Sequence, residues 1–196
     1  TDDALASRLE GPGPAAAPVV VDGPTGSYVR PADLDEAIHL LQRHPDAVVV
    51  AGSTDWGVEV NLRGARAELV VGVDHLAELR AVTRGADHLE IGAAVTLAEL
   101  ERGIAREVPL LTAVLPLFAS PLIRNSATIG GNLATGSPIG DLAPALLALE
   151  ADVVLHGTDG QRLVPLASFF TGYRRSVRRR DELIRALGMS MSEANA

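Results

Sequence analysis

The chain has 196 residues, 47% of them hydrophobic, enough for a sizeable core in one domain or two small lobes. Its formal net charge is −8, all of its 17 basic residues are arginine, and aromatics make up 3%, a composition unsuited to nucleic-acid binding. The absence of cysteine excludes disulfides and any thiolate-held iron–sulfur cluster within the chain, and the five histidines show no metal-ligand spacing. No apolar run reaches the ~18 residues of a membrane span, and no signal peptide is legible, so a cytoplasmic, metal-free globular chain is expected.

Residues 1–26 are rich in Ala, Gly and Pro and read as a linker or tail, with a short helix through Leu9 stopped by Gly11-Pro12-Gly13-Pro14. Order is expected from near Tyr28. Asp33 and Glu36 give a capping-box start, and Leu34, Ala37, Ile38 and Leu41 then recur on one helix face. Ala47–Ala51 is a short β-branched apolar run and reads as a buried strand. A helix near 56–62 and a strand at Glu68–Val73 complete a first lobe, residues 27–75. The second lobe, residues 76–184, opens with a hairpin, Arg80–Arg84 and His88–Ala93, around Gly85-Ala86-Asp87. Thr96 and Glu99 form a capping box for a helix ending near Gly103, and Pro109–Phe118 reads as a second, more buried helix. Asp141 can cap a helix over Leu142–Leu149, and Val153–His156 with Gln161–Val164 form another hairpin. Residues 185–196 read as a polar tail. Helices and strands alternate irregularly, which favours an α+β fold.

Two loops carry the chemistry. The strand at 47–51 empties into Gly52-Ser53-Thr54-Asp55-Trp56-Gly57, placing donors at its carboxyl end. This is neither the dinucleotide fingerprint G-x-G-x-x-G nor a phosphate loop with its lysine. A plain strand-to-helix turn capped by Asp55 is an equal reading of these residues alone. The second loop runs Ile123-Arg124-Asn125-Ser126-Ala127-Thr128-Ile129-Gly130-Gly131-Asn132 and on to Ser137-Pro138-Ile139-Gly140-Asp141. Its glycines let the backbone turn sharply, and free N–H groups in such a loop would form an anion-binding concavity. Thr128 and Ser137 add hydroxyls, and Asp141 can accept from a sugar hydroxyl. That inventory suits a dinucleotide with a central pyrophosphate. His75 and His88 are isolated and read as surface or turn residues. The arginines between Arg174 and Arg180 read as a solvated face balanced by Asp181 and Glu182, with docking to an acidic neighbour or to NAD phosphates as the alternative.

Together the loops resemble the FAD-binding domain of the xanthine dehydrogenase-type molybdenum hydroxylases. Val49–Asp55 is similar to that family's first flavin loop, and Ala127–Asn132 with Ser137–Asp141 to its second. Ile91–Leu97, Phe118-Ala119-Ser120 and Phe169-Phe170 with Gly172-Tyr173-Arg174 match further segments in order, from about Tyr28 to Ile184. The resemblance implies a two-lobed FAD-binding fold of the vanillyl-alcohol oxidase and p-cresol methylhydroxylase type. It implies that Val49, Val50, Ala51, Gly52, Ser53, Thr54, Asp55 and Trp56 lie along the flavin diphosphate and ribityl chain. Phe118 would stack on adenine. Ala127, Thr128, Gly130, Gly131 and Asn132 would wrap the adenosine and diphosphate, Asp141 would bind a ribose hydroxyl, and Ile184 would meet the isoalloxazine. For Trp56 a core position in the first lobe is the competing reading, and for Phe118 a place on a buried helix.

By the same resemblance, FAD takes electrons from iron–sulfur clusters and passes hydride to NAD, while a molybdenum cofactor on another domain or subunit oxidises a purine or other heterocycle. The expected partners are that molybdenum subunit and the iron–sulfur domain. No carboxylate pair or Ser–His dyad calls for a catalytic side chain here, because the cofactor carries the chemistry. Flavin subunits of aldehyde, carbon monoxide or aromatic-CoA dehydrogenases, a UDP-sugar enolpyruvyl reductase-like enzyme, and a flavin-free scaffold remain as alternatives. The family continues past Ile184 into a further strand, a lysine and a C-terminal domain. A polar tail at that point implies a truncated site that holds FAD weakly, with a mobile Arg174–Arg180 segment.

Overall fold

The structure, a computed structural model, describes residues 18–191. The helix expected through Leu9 lies outside the described residues. A four-stranded sheet has the order β1-β2-β4-β3. β1 (Val19–Gly23) and β2 (Gly26–Arg30) form an antiparallel hairpin, and β2 and β3 (Val48–Val50) each pair in parallel with β4 (Leu69–Gly72). The tail expected over 1–26 is therefore corrected within the described residues, where a strand already runs over Val19–Gly23. Val19-Val20-Val21 is β-branched and pairs through its backbone, although every β1 residue is exposed.

Helix α1 (Leu34–Arg43) packs on this sheet and buries Leu34, Ala37, Ile38, Leu40 and Leu41. The Asp33 carboxylate accepts from Glu36 N–H at 2.8 Å, and Glu36 accepts in return from Ala32 N–H at 2.6 Å, one residue before the expected partner. α2 (Thr54–Arg63) leaves the end of β3 and buries none of its residues. The short α3 (Ala77–Arg80) leads into the second sheet.

That sheet has the order β5-β6-β11-β7-β8, with every neighbouring pair antiparallel. β5 (Val82–Arg84) and β6 (His88–Gly92) form one hairpin, and β7 (Asp152–Gly157) and β8 (Gly160–Pro165) another. β9 (Phe170–Gly172) and β10 (Arg175–Ser176) make a separate ribbon. The central strand is β11 (Leu183–Ser190). The polar tail expected from Arg185 is thus corrected: most of β11 is buried. A strand covered on both faces shows no alternation of apolar and polar residues. Its one charge, Arg185, is matched by Glu90 on β6 at 2.7 Å. Residues 192–196 lie outside the described residues.

Helices α4 (Leu97–Gly103), α5 (Pro109–Val114), α6 (Pro121–Arg124), α7 (Ile129–Ala134) and α8 (Leu142–Ala148) connect the sheet strands. Leu97, Leu111, Ile129 and Leu146 share one core with Ile91, Leu155 and Leu187 of the sheet. The capping box at Thr96 and Glu99 is complete. The single buried helix expected over Pro109–Phe118 is instead α5 followed by a 3-10 turn at Leu115–Leu117, and only Leu111 of α5 is buried. Pro116 has no N–H to continue the α-helical ladder.

The smaller core joins α1 and β4 to Leu76, Leu79, Ala94 and Leu183. Leu183 belongs to this core and the next residue, Ile184, to the larger one, as alternation along a strand requires. β11 therefore braces both layers where they meet. No helix among the described residues is long and apolar enough to cross a membrane.

Candidate functional site

The first loop is built around a close backbone approach. A Cβ on Gly52 would lie 1.7 Å from the Ser126 carbonyl oxygen, so only glycine fits between the two loops. Ser53 then adopts a left-handed conformation, φ 57°, and precedes α2 without donating or accepting a side-chain cap. Asp55 sits in the first turn rather than capping the helix. The N–H groups of Ser53, Thr54, Asp55 and Trp56 find no acceptor among the described residues. The positive end of α2 is open toward whatever occupies the space before it.

The second loop behaves differently from expectation. Ile129 N–H donates to Val95 O, Gly130 N–H to Ala93 O at 2.9 Å, and Asn132 N–H to Thr128 O. Gly131 N–H donates to the Thr128 hydroxyl oxygen at 3.1 Å, which caps α7. The expected run of free N–H donors is therefore absent here. The glycines serve packing instead: a Cβ on Gly130 would lie 2.4 Å from the Ala93 Cβ. What the loop offers is the Asn132 amide, whose Oδ1 is buried without a hydrogen-bond partner. An orphaned acceptor of this kind is costly unless something fills it.

Both loops line a single cleft of about 680 Å³, within the range of cofactor pockets. Val49, Val50, Ala51, Gly52, Ser53, Thr54, Asp55 and Trp56 line one wall. Phe118, Ala127, Thr128, Gly130, Gly131, Asn132, Asp141 and Ile184 line the rest. The structure thus brings together every residue singled out for the cofactor. Trp56 is half-buried in this cleft and joins neither core, which removes the core reading. Phe118 is likewise half-buried at the end of a turn rather than within a helix. Asp141 makes no side-chain cap to α8, contrary to expectation, and its exposed carboxylate faces the cleft.

Sequence reasoning missed three arginines. Arg124 is buried, pairs with Glu101 at 2.9 Å and donates to Phe118 O at 2.8 Å, fixing the turn that presents Phe118. Arg178 and Arg180 line the cleft, so this segment is not simply a solvated face. Around them Glu182 anchors the turn before β11. It receives both arms of the Arg162 fork, at 2.7 and 2.8 Å, and Arg179 N–H at 2.7 Å. Burial pushes the Glu182 carboxyl up, but the Arg162 and Arg179 hydrogen bonds and charges outweigh it and hold it at about 2. Among the isolated histidines, His75 lies in a turn, as expected, but its ring is largely buried. Its side chain is 9% exposed, accepts from Arg30 Nε at Nδ1 and donates from Nε2 to Pro31 O.

Over residues 23–189 the chain matches the family described as the FAD binding domain in molybdopterin dehydrogenase. It is 38% identical over 161 residues to the xanthine dehydrogenase FAD-binding subunit of Escherichia coli O157:H7, covering 81% of this chain and 55% of the relative. It is 31% identical over 178 residues to the xanthine dehydrogenase/oxidase of Gallus gallus, covering 85% of this chain and 13% of that protein. Among solved structures, carbon monoxide dehydrogenase from Hydrogenophaga pseudoflava superimposes with a TM-score of 0.81 at 30% identity, over 87% of this chain and 60% of that one. Quinoline 2-oxidoreductase from Pseudomonas putida 86 gives 0.81 at 26% identity, over 87% and 61%. The chain thus spans little more than half of the flavin subunit it matches, and a small part of the larger enzyme.

Proposed function

Because this chain belongs to the family of FAD-binding domains of the molybdopterin dehydrogenases, we propose that its cleft holds FAD along β3, in a xanthine dehydrogenase-like enzyme. The observation that carries the residue roles is the open amino end of α2 beside the orphaned Asn132 oxygen, both in one cleft. The free N–H groups of Ser53, Thr54 and Asp55 receive the pyrophosphate, as a helix terminus favours an anion. Asn132 Oδ1 accepts from a ribityl or ribose hydroxyl. Phe118 stacks on the adenine, Asp141 accepts from the ribose next to it, and Ile184 and Trp56 border the isoalloxazine.

When bound, the flavin supplies the redox chemistry, accepting electrons and passing them on as hydride. The chain's own part is to bind, orient and exclude water. In such an enzyme electrons would arrive from iron–sulfur clusters and leave to NAD, and a molybdenum cofactor on a partner subunit or domain would oxidise the substrate. The sequence relatives reported above are xanthine dehydrogenases, which favours a heterocycle as that substrate.

β11 supplies the strand whose absence was one of the reasons for expecting weak FAD retention. The purified chain, loaded with FAD and passed over a gel-filtration column, is expected to keep flavin absorption bands. Loss of all flavin in that step would overturn the reading. FAD should bind tighter than FMN, because Phe118 and Asp141 serve the adenosine half. Asp141→Ala should weaken FAD by about 1–3 kcal/mol, the worth of a hydrogen bond to a charged group, and leave FMN unchanged. A fluorescence titration showing the same loss for both flavins would contradict the assignment.

A further inference from the structure

Arg178 lines the same cleft as Leu183 and Ile184 and has no carboxylate within ion-pair distance among the described residues. Its Nη1 donates to the Glu182 carbonyl at 2.7 Å and to the Arg179 carbonyl at 3.2 Å. Neutral carbonyls fix the guanidinium in place but do not cancel its charge. Three of the nearby carboxylates pair with other arginines. Glu182 pairs with Arg162 and Arg179, Asp159 with Arg179, and Asp46 with Arg180. Asp181 accepts from the Thr158 hydroxyl, which leaves its own charge in place, and with Glu182 it acts on Arg178 only from beyond ion-pair distance. None of these carboxylates pairs with Arg178 within ion-pair distance among the described residues. The side chain lines the cleft beside Leu183 and Ile184 and is half-buried. A fixed charge removed from bulk water acts on its neighbours more strongly than an exposed one.

We propose that Arg178 tunes the bound flavin, raising its reduction potential by placing a fixed positive charge beside the isoalloxazine. The proposal rests on the reading that the cleft holds FAD with its flavin ring at the Ile184 end. Near neutral pH, two electrons and one proton added to the ring leave it one negative charge richer than before. A guanidinium at this position therefore stabilises the reduced form over the oxidised form. Arg180 does not duplicate the effect, because its exposed side chain is paired with Asp46.

The test is a reductive titration of the FAD-loaded 196-residue chain in equilibrium with a redox dye of known potential, comparing the native protein with Arg178→Leu and Arg178→Lys. Leu should lower the preference for reduced over oxidised flavin about tenfold, which is about 30 mV for a two-electron couple. Lys, keeping the charge, should hold the potential close to the native value. If the Leu variant loses its flavin, Arg178→Gln, neutral but still able to donate to the Glu182 carbonyl, takes its place. A neutral variant with the native potential would overturn the proposal, as would equal drops in the neutral and Lys variants. Failure of the native chain to bind FAD would instead sink the cofactor reading, and this proposal with it.

Discussion

Gly52→Ala is expected to destabilise the protein by about 2–3 kcal/mol, as overpacking does, and to abolish tight FAD binding. The new methyl group would lie 1.7 Å from Ser126 O and 2.4 Å from Ser126 C, both backbone atoms. One of the two loops must move. The second is held firmly: Ala127 N–H donates to Ile123 O at 2.7 Å, and Ala127 O accepts from Leu97 N–H at 2.9 Å. The first loop yields instead, and the amino end of α2 shifts with it. Displacing two N–H donors from a charged pyrophosphate forfeits roughly 3 kcal/mol, about a hundredfold in affinity. Gly57→Ala is the matched control. It lies within α2 with nothing near its missing Cβ, so alanine should stabilise the helix by up to about 1 kcal/mol and leave FAD affinity intact. Thermal melting and a flavin titration of the two variants check both halves. Equal behaviour of the two would show that the loops do not need their close approach.

How much of this was legible beforehand follows from what each residue does. Gly52 could be found because a close backbone approach leaves glycine in the sequence as its trace. α1 could be found because its apolar residues face one core and so keep a helical period. β11 was missed for the opposite reason: buried on both faces, it has no period, and its arginine suggested solvent while Glu90 sat on another strand. The second loop showed the right residue types with the wrong assignment of donors. Only the fold reveals that Thr128 turns inward to cap α7, leaving Asn132 to face the cleft unpaired. Arg178 was indistinguishable in sequence from its arginine neighbours. The turn held by Glu182 decides which of them points inward, and that turn depends on Arg162 from β8.

That turn gives the second large effect, and its pH dependence tells charge from packing. The Glu182 side chain is 3% exposed, and its carboxyl is held at about 2 by Arg162 and Arg179. A depressed carboxyl contributes stability that is fully present above its unfolded value of ~4.3 and is lost as pH falls through its folded value. In that window the unfolded chain binds the extra proton, so stability rises with pH. A depression of this size corresponds to roughly 3 kcal/mol. The partly exposed arginines can regain water once the carboxylate is gone, so Glu182→Gln should cost about 2–3 kcal/mol at pH 7 rather than the full penalty of a broken buried pair. Asp159→Asn, which breaks only the exposed pair with Arg179, should cost no more than about 0.5 kcal/mol. In urea unfolding, the native and Glu182→Gln curves should therefore stand well apart at pH 7 and converge as pH falls from about 5 toward 2. A gap that stays constant over that range would mean that the glutamate acts by shape alone. Because Leu183 and Ile184 follow directly and line the cleft, the same substitution should also loosen FAD, while Asp159→Asn should not.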